Sequence, residues 1–211
     1  MLMDGLQLIE QYFEELTDEQ RRQYAMLGEV YKGWNEKINV ISRKDMEQIY
    51  LHHILHSLAI GKVCQFEAGA RVLDVGCGGG FPSVPLAILF PEVQFTAIDS
   101  IGKKIKVVEG VCKEVGITNI RTINGRVEQL DERFDYIVSR AVTEMPRFVG
   151  WVRNLVAKGQ RGTLPNGILY LKGGDLAEEL KASRRKWERY YISELFEDEF
   201  FETKQVVYSA E

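Results

Sequence analysis

Ala70-Arg-Val-Leu-Asp-Val-Gly-Cys-Gly-Gly-Gly-Phe-Pro82 is the stretch that decides the fold. An apolar, β-prone run from Val72 to Val75 breaks into glycines at Gly76, Gly78, Gly79 and Gly80. Pro82 follows where a helix would begin, because its fixed φ suits a first helical turn and its missing N–H costs nothing there. Strand, glycine loop, helix is the arrangement that lets backbone approach a small ligand closely. The spacing is Asp-x-Gly-x-Gly-x-Gly from Asp74 to Gly80, and Phe81 stands where the dinucleotide fingerprint Gly-x-Gly-x-x-Gly needs its last glycine. The loop therefore suggests a nucleoside ligand without a pyrophosphate, with S-adenosylmethionine (AdoMet) the leading candidate. A tight strand-to-helix turn with no ligand is the plainer alternative.

Outward from this loop the chain alternates strands and helices. Strands are expected at 71–75, 93–98, 120–123, 135–139 and 167–172, and helices near 83–89, 101–114, 144–157 and 175–188. That rhythm specifies a parallel sheet with helices on both faces, since parallel neighbours need crossover connections. The tail differs: Tyr190–Leu195 and Gln205–Tyr208 are β-prone without an intervening helix and should pair antiparallel at one sheet edge. The expectation is an α/β, Rossmann-like class I AdoMet-dependent methyltransferase fold. Its mostly parallel seven-stranded sheet ends in an antiparallel hairpin.

Residues 5–62 read as helical. Leu6, Ile9, Tyr12, Phe13 and Leu16 recur at helical spacing, Thr17 and Gln20 form a capping box, and Tyr24, Leu27, Val30, Tyr31 and Trp34 continue an apolar stripe. Asp45 is a candidate cap for a following helix with the face Ile49, Leu51, Leu55 and Leu58. Two parts follow: an N-terminal helical cap over 1–65 and an AdoMet-binding domain over 66–211.

Asp99 closes the second strand, 23 residues after Gly76, where an acid can accept hydrogen bonds from both hydroxyls of a bound ribose. It could also cap the helix that begins near Ile101. The third strand ends in Asn124-Gly-Arg-Val127-Glu128, beside the first two strand ends, where an adenine would rest. Arg140 ends the fourth strand at the same rim, placed to pair with the cofactor's carboxylate or with an RNA phosphate. No Asn/Asp-Pro-Pro-Tyr and no Pro-Cys follows that strand. A ring nitrogen with an in-plane lone pair, such as guanine N7, needs neither, because alignment and desolvation suffice.

All three histidines fall in His52-His53-Ile-Leu-His56. His52 and His56 share a helical face but lack the glutamate of His-Glu-x-x-His and any nearby cysteine or carboxylate ligand, so no metal is expected. His53 is a candidate for the pocket roof or for substrate contact. Trp34 reads equally as core or as a base-stacking ring. Asn35 and Asn39 are poor residues for a helix interior, which makes Asn39 a second candidate near substrate. No catalytic group is fixed more firmly than these.

Composition bounds the rest. The chain has 211 residues, 45% hydrophobic and 27% charged, with a formal net charge of −4. Its charge is unlike that of an indiscriminate nucleic-acid binder, so any RNA contact must come from local patches. Arg43-Lys44, Lys103-Lys104, Arg153 to Arg161 and Arg184-Arg185-Lys186 are candidates, and DNA is not an expected partner. Cys64, Cys77 and Cys112 lie far apart, as in a reducing compartment. With an acidic N-terminal stretch and no run near the roughly 18 apolar residues of a membrane span, a cytoplasmic monomer is expected.

An ordered set of motifs then carries a resemblance. Trp34-Asn-Glu-Lys-Ile-Asn39-Val-Ile-Ser42, His53-Ile-Leu-His-Ser57, Asp74 to Pro82, Asp99-Ser100 and Ser139-Arg140-Ala141 together resemble the small-subunit ribosomal RNA methyltransferase G family. This family is also called glucose-inhibited division protein B, and the likeness covers roughly residues 25–175. It implies AdoMet as cofactor and methylation of guanine N7 (the position-527 type) in the decoding-region stem-loop of 16S rRNA, in free RNA or in a small-subunit assembly intermediate. It also implies cofactor contacts at Gly76, Phe81, the Val127-Glu128 backbone and Arg140, which join Gly78 and Asp99 read from the loop itself. The chain departs from the family's Arg-His-x-x-Asp-Ser, having His52 and His56 at the Arg and Asp places. A non-catalytic nucleoside- or RNA-binding module on the same fold is the competing reading.

Overall fold

The computed structural model describes residues 5–211; the first four residues of the expected cap lie outside them. Five strands, β1 (Arg71–Val75), β2 (Gln94–Asp99), β3 (Ile120–Asn124), β4 (Tyr136–Arg140) and β5 (Gly167–Gly173), lie parallel. β7 (Lys204–Ala210) runs antiparallel between β5 and the edge strand β6 (Glu188–Tyr191), giving the order β3-β2-β1-β4-β5-β7-β6. The chain order reverses between β1 and β4, where doubly wound sheets open a crevice at the carboxyl ends of their strands.

Side-chain alternation along the strands builds two cores. Val72, Phe95, Ala97, Val138 and Leu171 face one side, where they pack with α5 (Ser83–Leu89), α6 (Gly102–Val115) and the N-terminal helices. Leu73, Val75, Ile98, Ile137 and Tyr170 face the other, under α7 (Met145–Val152) and α8 (Ala177–Ala182). The period of two in the pleat puts successive residues on opposite faces, so a sheet covered on both sides reads as continuous apolar sequence.

The N-terminal helices α1 (Gly5–Glu10), α2 (Asp18–Lys37), α3 (Arg43–Glu47) and α4 (His56–Val63) share the first of these cores. Thr17 and Gln20 form the capping box of α2, with Oγ1 accepting from the Gln20 N–H at 3.2 Å and Gln20 Oε1 from the Thr17 N–H at 2.9 Å. Polar side chains tie α2 to the backbone of the glycine loop and α5: Gln20 Nε2 donates to Ile88 O, Tyr24 Oη to Pro85 O and Tyr31 Oη to Gly79 O. A π-helical turn, Tyr50–Leu55, leads into α4 and carries His52 and His53. Such turns occur often at functional sites.

Several expected boundaries shift. α1 ends at Glu10, yet Tyr12 and Phe13 still pack on Phe196. Ser42 caps α3 in place of Asp45, which lies inside that helix; Ser42 Oγ accepts from the Asp45 N–H at 3.1 Å. Pro82 is the residue before α5 and not its first turn. The helix expected over 144–157 stops at Val152, because residues 155–157 extend to bond Phe134 through Leu155 O and the Ala157 N–H. The helix expected over 175–188 is Ala177–Ala182: Ser183 Oγ bonds back to Leu180 O, Arg184 takes a left-handed φ of 58°, and β6 begins at Glu188. The hairpin strand expected over 190–195 is correspondingly early, and Ile192–Glu194 form a 3-10 turn.

Candidate active site

A cavity of about 570 Å³ opens at the carboxyl ends of β1, β2, β3 and β4. Its wall includes Gly76, Gly78, Phe81, Asp99, Val127, Glu128 and Arg140, the seven residues expected to hold the cofactor, together with His53. They come from four separate strand ends, brought level by a register that sets Val75 opposite both Ile98 and Ser139.

The glycine loop is shaped for a ligand at one position and for the fold at another. Gly78 has a φ of +56°, and a Cβ built there meets nothing within 4 Å, so its bare backbone faces open space in the cavity. Gly76 also has a positive φ, but its Cβ would lie 2.5 Å from Val142. The Gly78 N–H donates to Asp99 Oδ2 at 3.0 Å, and Asp99 Oδ1 accepts from the Ile101 N–H at 2.8 Å. Asp99 therefore joins loop to helix entrance. The cap position of α6 itself belongs to Ile101. Each carboxylate oxygen keeps a lone pair for a ribose hydroxyl.

Asp74 lies behind the loop, fully buried. Its Oδ2 accepts from the Ser83 N–H at 3.0 Å, while Oδ1 and Ser83 Oγ have no hydrogen-bond partner. Burial raises its carboxyl to about 7. The folded state thus holds this proton more tightly than an unfolded chain, whose Asp titrates near 3.9, so Asp74 makes stability fall as pH rises from about 4 through 7 and adds no slope above that. Asp74→Asn should remove that slope. Urea midpoints of variant and wild type, compared at pH 5 and pH 8, should show the variant gaining relative stability at the higher pH. Parallel pH dependences would show that Asp74 is already ionised in the fold.

On the other side of β1, Arg140 is held by the N-terminal segment. Its Nη2 donates to His53 Nδ1 at 2.7 Å and its Nη1 to His52 O at 3.2 Å, with the guanidinium carbon 5.2 Å from the Phe81 ring centre. Burial lowers Arg140 to about 10. Burial, then the Arg140 charge, lowers His53 to about 3. The imidazole is neutral at any working pH, and because a guanidinium only donates, its Nδ1 must be the bare nitrogen. The loop after Arg140 is fixed too. Ala141 takes a φ of 52°, and Tyr170 Oη accepts from the Val142 and Thr143 N–H groups at 2.9 and 3.1 Å.

The remaining candidates lie apart from this wall or behind it. Asn39 is exposed just outside α2, next to Val40, which lines the cavity with Ile41. Asn35 secures that strap: its Oδ1 accepts from the Val40 and Ile41 N–H groups and its Nδ2 donates to Ile41 O. Trp34 packs on Gly110 of α6 and donates to Glu114, away from the cavity. His52 bonds Asp45 at 3.0 Å and stacks on Phe200, whereas His56 is buried edge-on to Phe200 and Phe201.

Among the basic patches, Lys104 lines the cavity; Arg185 is spent on Ser209 and Ala210 at the far edge. Arg126, in the loop expected beside the adenine, also lines it, as do Arg147 and Trp151, which no sequence motif marks. Arg147 and Trp151 stack four residues apart on α7, a spacing that is equally common on ordinary helix surfaces.

A family model described as rRNA small subunit methyltransferase G matches residues 19–207. The chain is 55% identical to the Cytophaga hutchinsonii protein named ribosomal RNA small subunit methyltransferase G, over 96% of this chain and 98% of that one. It is 57% identical to the Flavobacterium johnsoniae protein of the same name, over 93% and 94% respectively. A SAM-dependent methyltransferase from Aquifex aeolicus has a similar fold, with a TM-score of 0.57 at 12% identity, covering 76% of this chain and 92% of that one.

Proposed function

Since this chain belongs to the rRNA small subunit methyltransferase G family, we propose that it transfers a methyl group from AdoMet to N7 of a guanine in 16S rRNA. The observation that carries this reading is the convergence of Gly76, Gly78, Phe81, Asp99, Val127, Glu128 and Arg140 on one cavity wall. The residues fit the cofactor: a side-chain-free face at Gly78, a carboxylate with spare lone pairs at Asp99, and a recessed cation at Arg140. When bound, AdoMet supplies an electrophilic methyl on a sulfonium.

In this reading Asp99 takes the ribose, the Val127-Glu128 backbone the adenine and Arg140 the carboxylate. Val40, Ile41 and Phe81 exclude water from one end. The guanine brings an in-plane lone pair and has no proton to lose at N7, so catalysis rests on alignment. His53 supports that reading, because its bare nitrogen already accepts from Arg140 and cannot act as a base. Lys104, Arg126 and Arg147 at the mouth suit RNA phosphate, and the enzyme would act as a cytoplasmic monomer on RNA or on an assembling small subunit.

Two measurements test this. Tritiated AdoMet is incubated with naked 16S rRNA and with small subunits from a strain lacking the enzyme, and the label is mapped; label on guanine N7 is expected, and label on an exocyclic amine or on carbon overturns the reading. The single-turnover rate on bound RNA should be nearly flat from about pH 6.5 to 8.5, since His53 stays neutral throughout. A steep acid limb in that window would reveal a base.

A further inference from the structure

His53 has one nitrogen left to use. Arg140 occupies Nδ1, so the proton of the neutral ring sits on Nε2, which makes no hydrogen bond to a described residue. The ring lines the cavity, half-buried and set against Phe81 at 5.0 Å between ring centres. It is thus a neutral, oriented, obligate hydrogen-bond donor.

Its position separates it from the cationic donors that follow β2 and β3, whereas Arg147 and Trp151 line the cavity from α7, after β4. The sheet order puts β2 and β3 on one side of β1 and β4 on the other. Asp99, Lys104, Arg126 and Val127 follow β2 and β3, the ribose and adenine side of the proposed site. His53 bonds the side chain of Arg140, which ends β4, on the opposite side of β1 from those strands. A neutral donor there, unlike a lysine or arginine, adds no repulsion to a sulfonium methyl nearby.

Guanine presents two acceptors on the edge that reacts, N7 and O6, whereas adenine presents N7 and an N6 amino donor. N7 must keep its lone pair for the methyl group and can accept nothing from the protein. Discrimination on that edge therefore falls to position 6, and it needs a donor.

We propose that His53 Nε2–H donates a hydrogen bond to O6 of the target guanine, making His53 the residue that selects guanine over adenine; this rests on the guanine N7 reading above. Arg140 acts on specificity through His53, by forbidding the tautomer that would accept from an adenine amino group. The bond also pins the base in plane, with N7 facing the methyl.

The test pairs a protein change with a base change. RNA substrates carry guanine, hypoxanthine (which keeps O6) or 2-aminopurine (which lacks O6) at the target position, and single-turnover methylation is measured with wild type, His53→Phe and His53→Gln. Wild type should methylate guanine and hypoxanthine at similar rates and 2-aminopurine at least about tenfold more slowly. His53→Phe should slow the first two by about the same factor and barely change the third, with the AdoMet Kd within about threefold of wild type. His53→Gln, which keeps an N–H donor, should recover part of the loss. It also provides the answer if the phenylalanine variant fails to fold, because its remaining deficit should again depend on O6. Equal slowing on all three bases, or a raised AdoMet Kd that accounts for the loss, overturns the proposal and gives His53 to the cofactor. A wild type that methylates no guanine N7 at all overturns the function reading itself.

Discussion

Gly78→Val should abolish AdoMet binding, weakening it by more than about 100-fold in calorimetry, while the thermal midpoint falls by only a few degrees. The Cβ of a residue at 78 enters empty space, so the fold has nothing to rearrange. What remains is the cost of a left-handed φ of +56° in a side-chain-bearing residue, about 1–2 kcal/mol. For a chain of this size that is a few degrees of midpoint. Ligand space is the larger loss, because the isopropyl group stands beside the Asp99 carboxylate that the Gly78 N–H holds. Gly76→Val makes the contrast. There the new Cβ would sit 2.5 Å from Val142 Cγ2, so stability should fall far more. Unchanged AdoMet affinity in the Gly78 variant would remove the loop from the site.

Arg140→Ala should raise the AdoMet Kd by about 100-fold or more and leave RNA affinity, with its dependence on salt, nearly unchanged. The guanidinium sits beside Phe81 in the cavity wall and is committed to His53 Nδ1 and His52 O, a placement that suits a small ligand inside the cavity. In the proposed site its loss would remove the cation that takes the cofactor's carboxylate, and charge-assisted bonds are about twice as strong as neutral ones. A second signature follows from electrostatics: the Arg140 charge is the second cause holding His53 near 3, so the imidazole of the variant should titrate closer to neutrality. If instead RNA affinity falls and its salt slope becomes shallower by about one, Arg140 grips a phosphate.

Much of this was legible in the sequence because each legible element has a strong local cause. The five parallel strands appear within a residue or so of their expected places, since a short apolar run ended by a polar or turn residue allows few alternatives. The Thr17–Gln20 box was readable for the same reason. Asp45 is not the cap because Ser42, three residues earlier, competes for the same role and takes the Asp45 N–H. The residues over 183–187 carry good helix formers, yet Ser183 and the left-handed Arg184 end the helix through contacts with Leu180 and Trp187 that no local pattern announces.

At the site, the residues at strand ends could be found by counting from the glycine loop. Those reaching in from elsewhere could not. Val40 and Ile41 line the cavity only because Asn35 folds the chain back after α2. The bond from Arg140 to His53 spans 87 residues, and the π-helical turn that presents His53 has no sequence signature of its own.

The bonds from Gln20, Tyr24 and Tyr31 to the backbone of the glycine loop and α5 bear on how this protein can be taken apart. Each places a side-chain donor of the first forty residues on a carbonyl of the segment from Gly79 to Ile88, and those of Gly79 and Ile88, outside the pairing of α5, would otherwise need water. A chain cut before residue 66 would expose those acceptors and the apolar face under them. The nucleoside cradle is therefore no transplantable module. Grafts, fusions and circular permutants that keep methyl transfer must carry the leading helices with it, and new chain ends are better opened in exposed turns such as the one around Arg184.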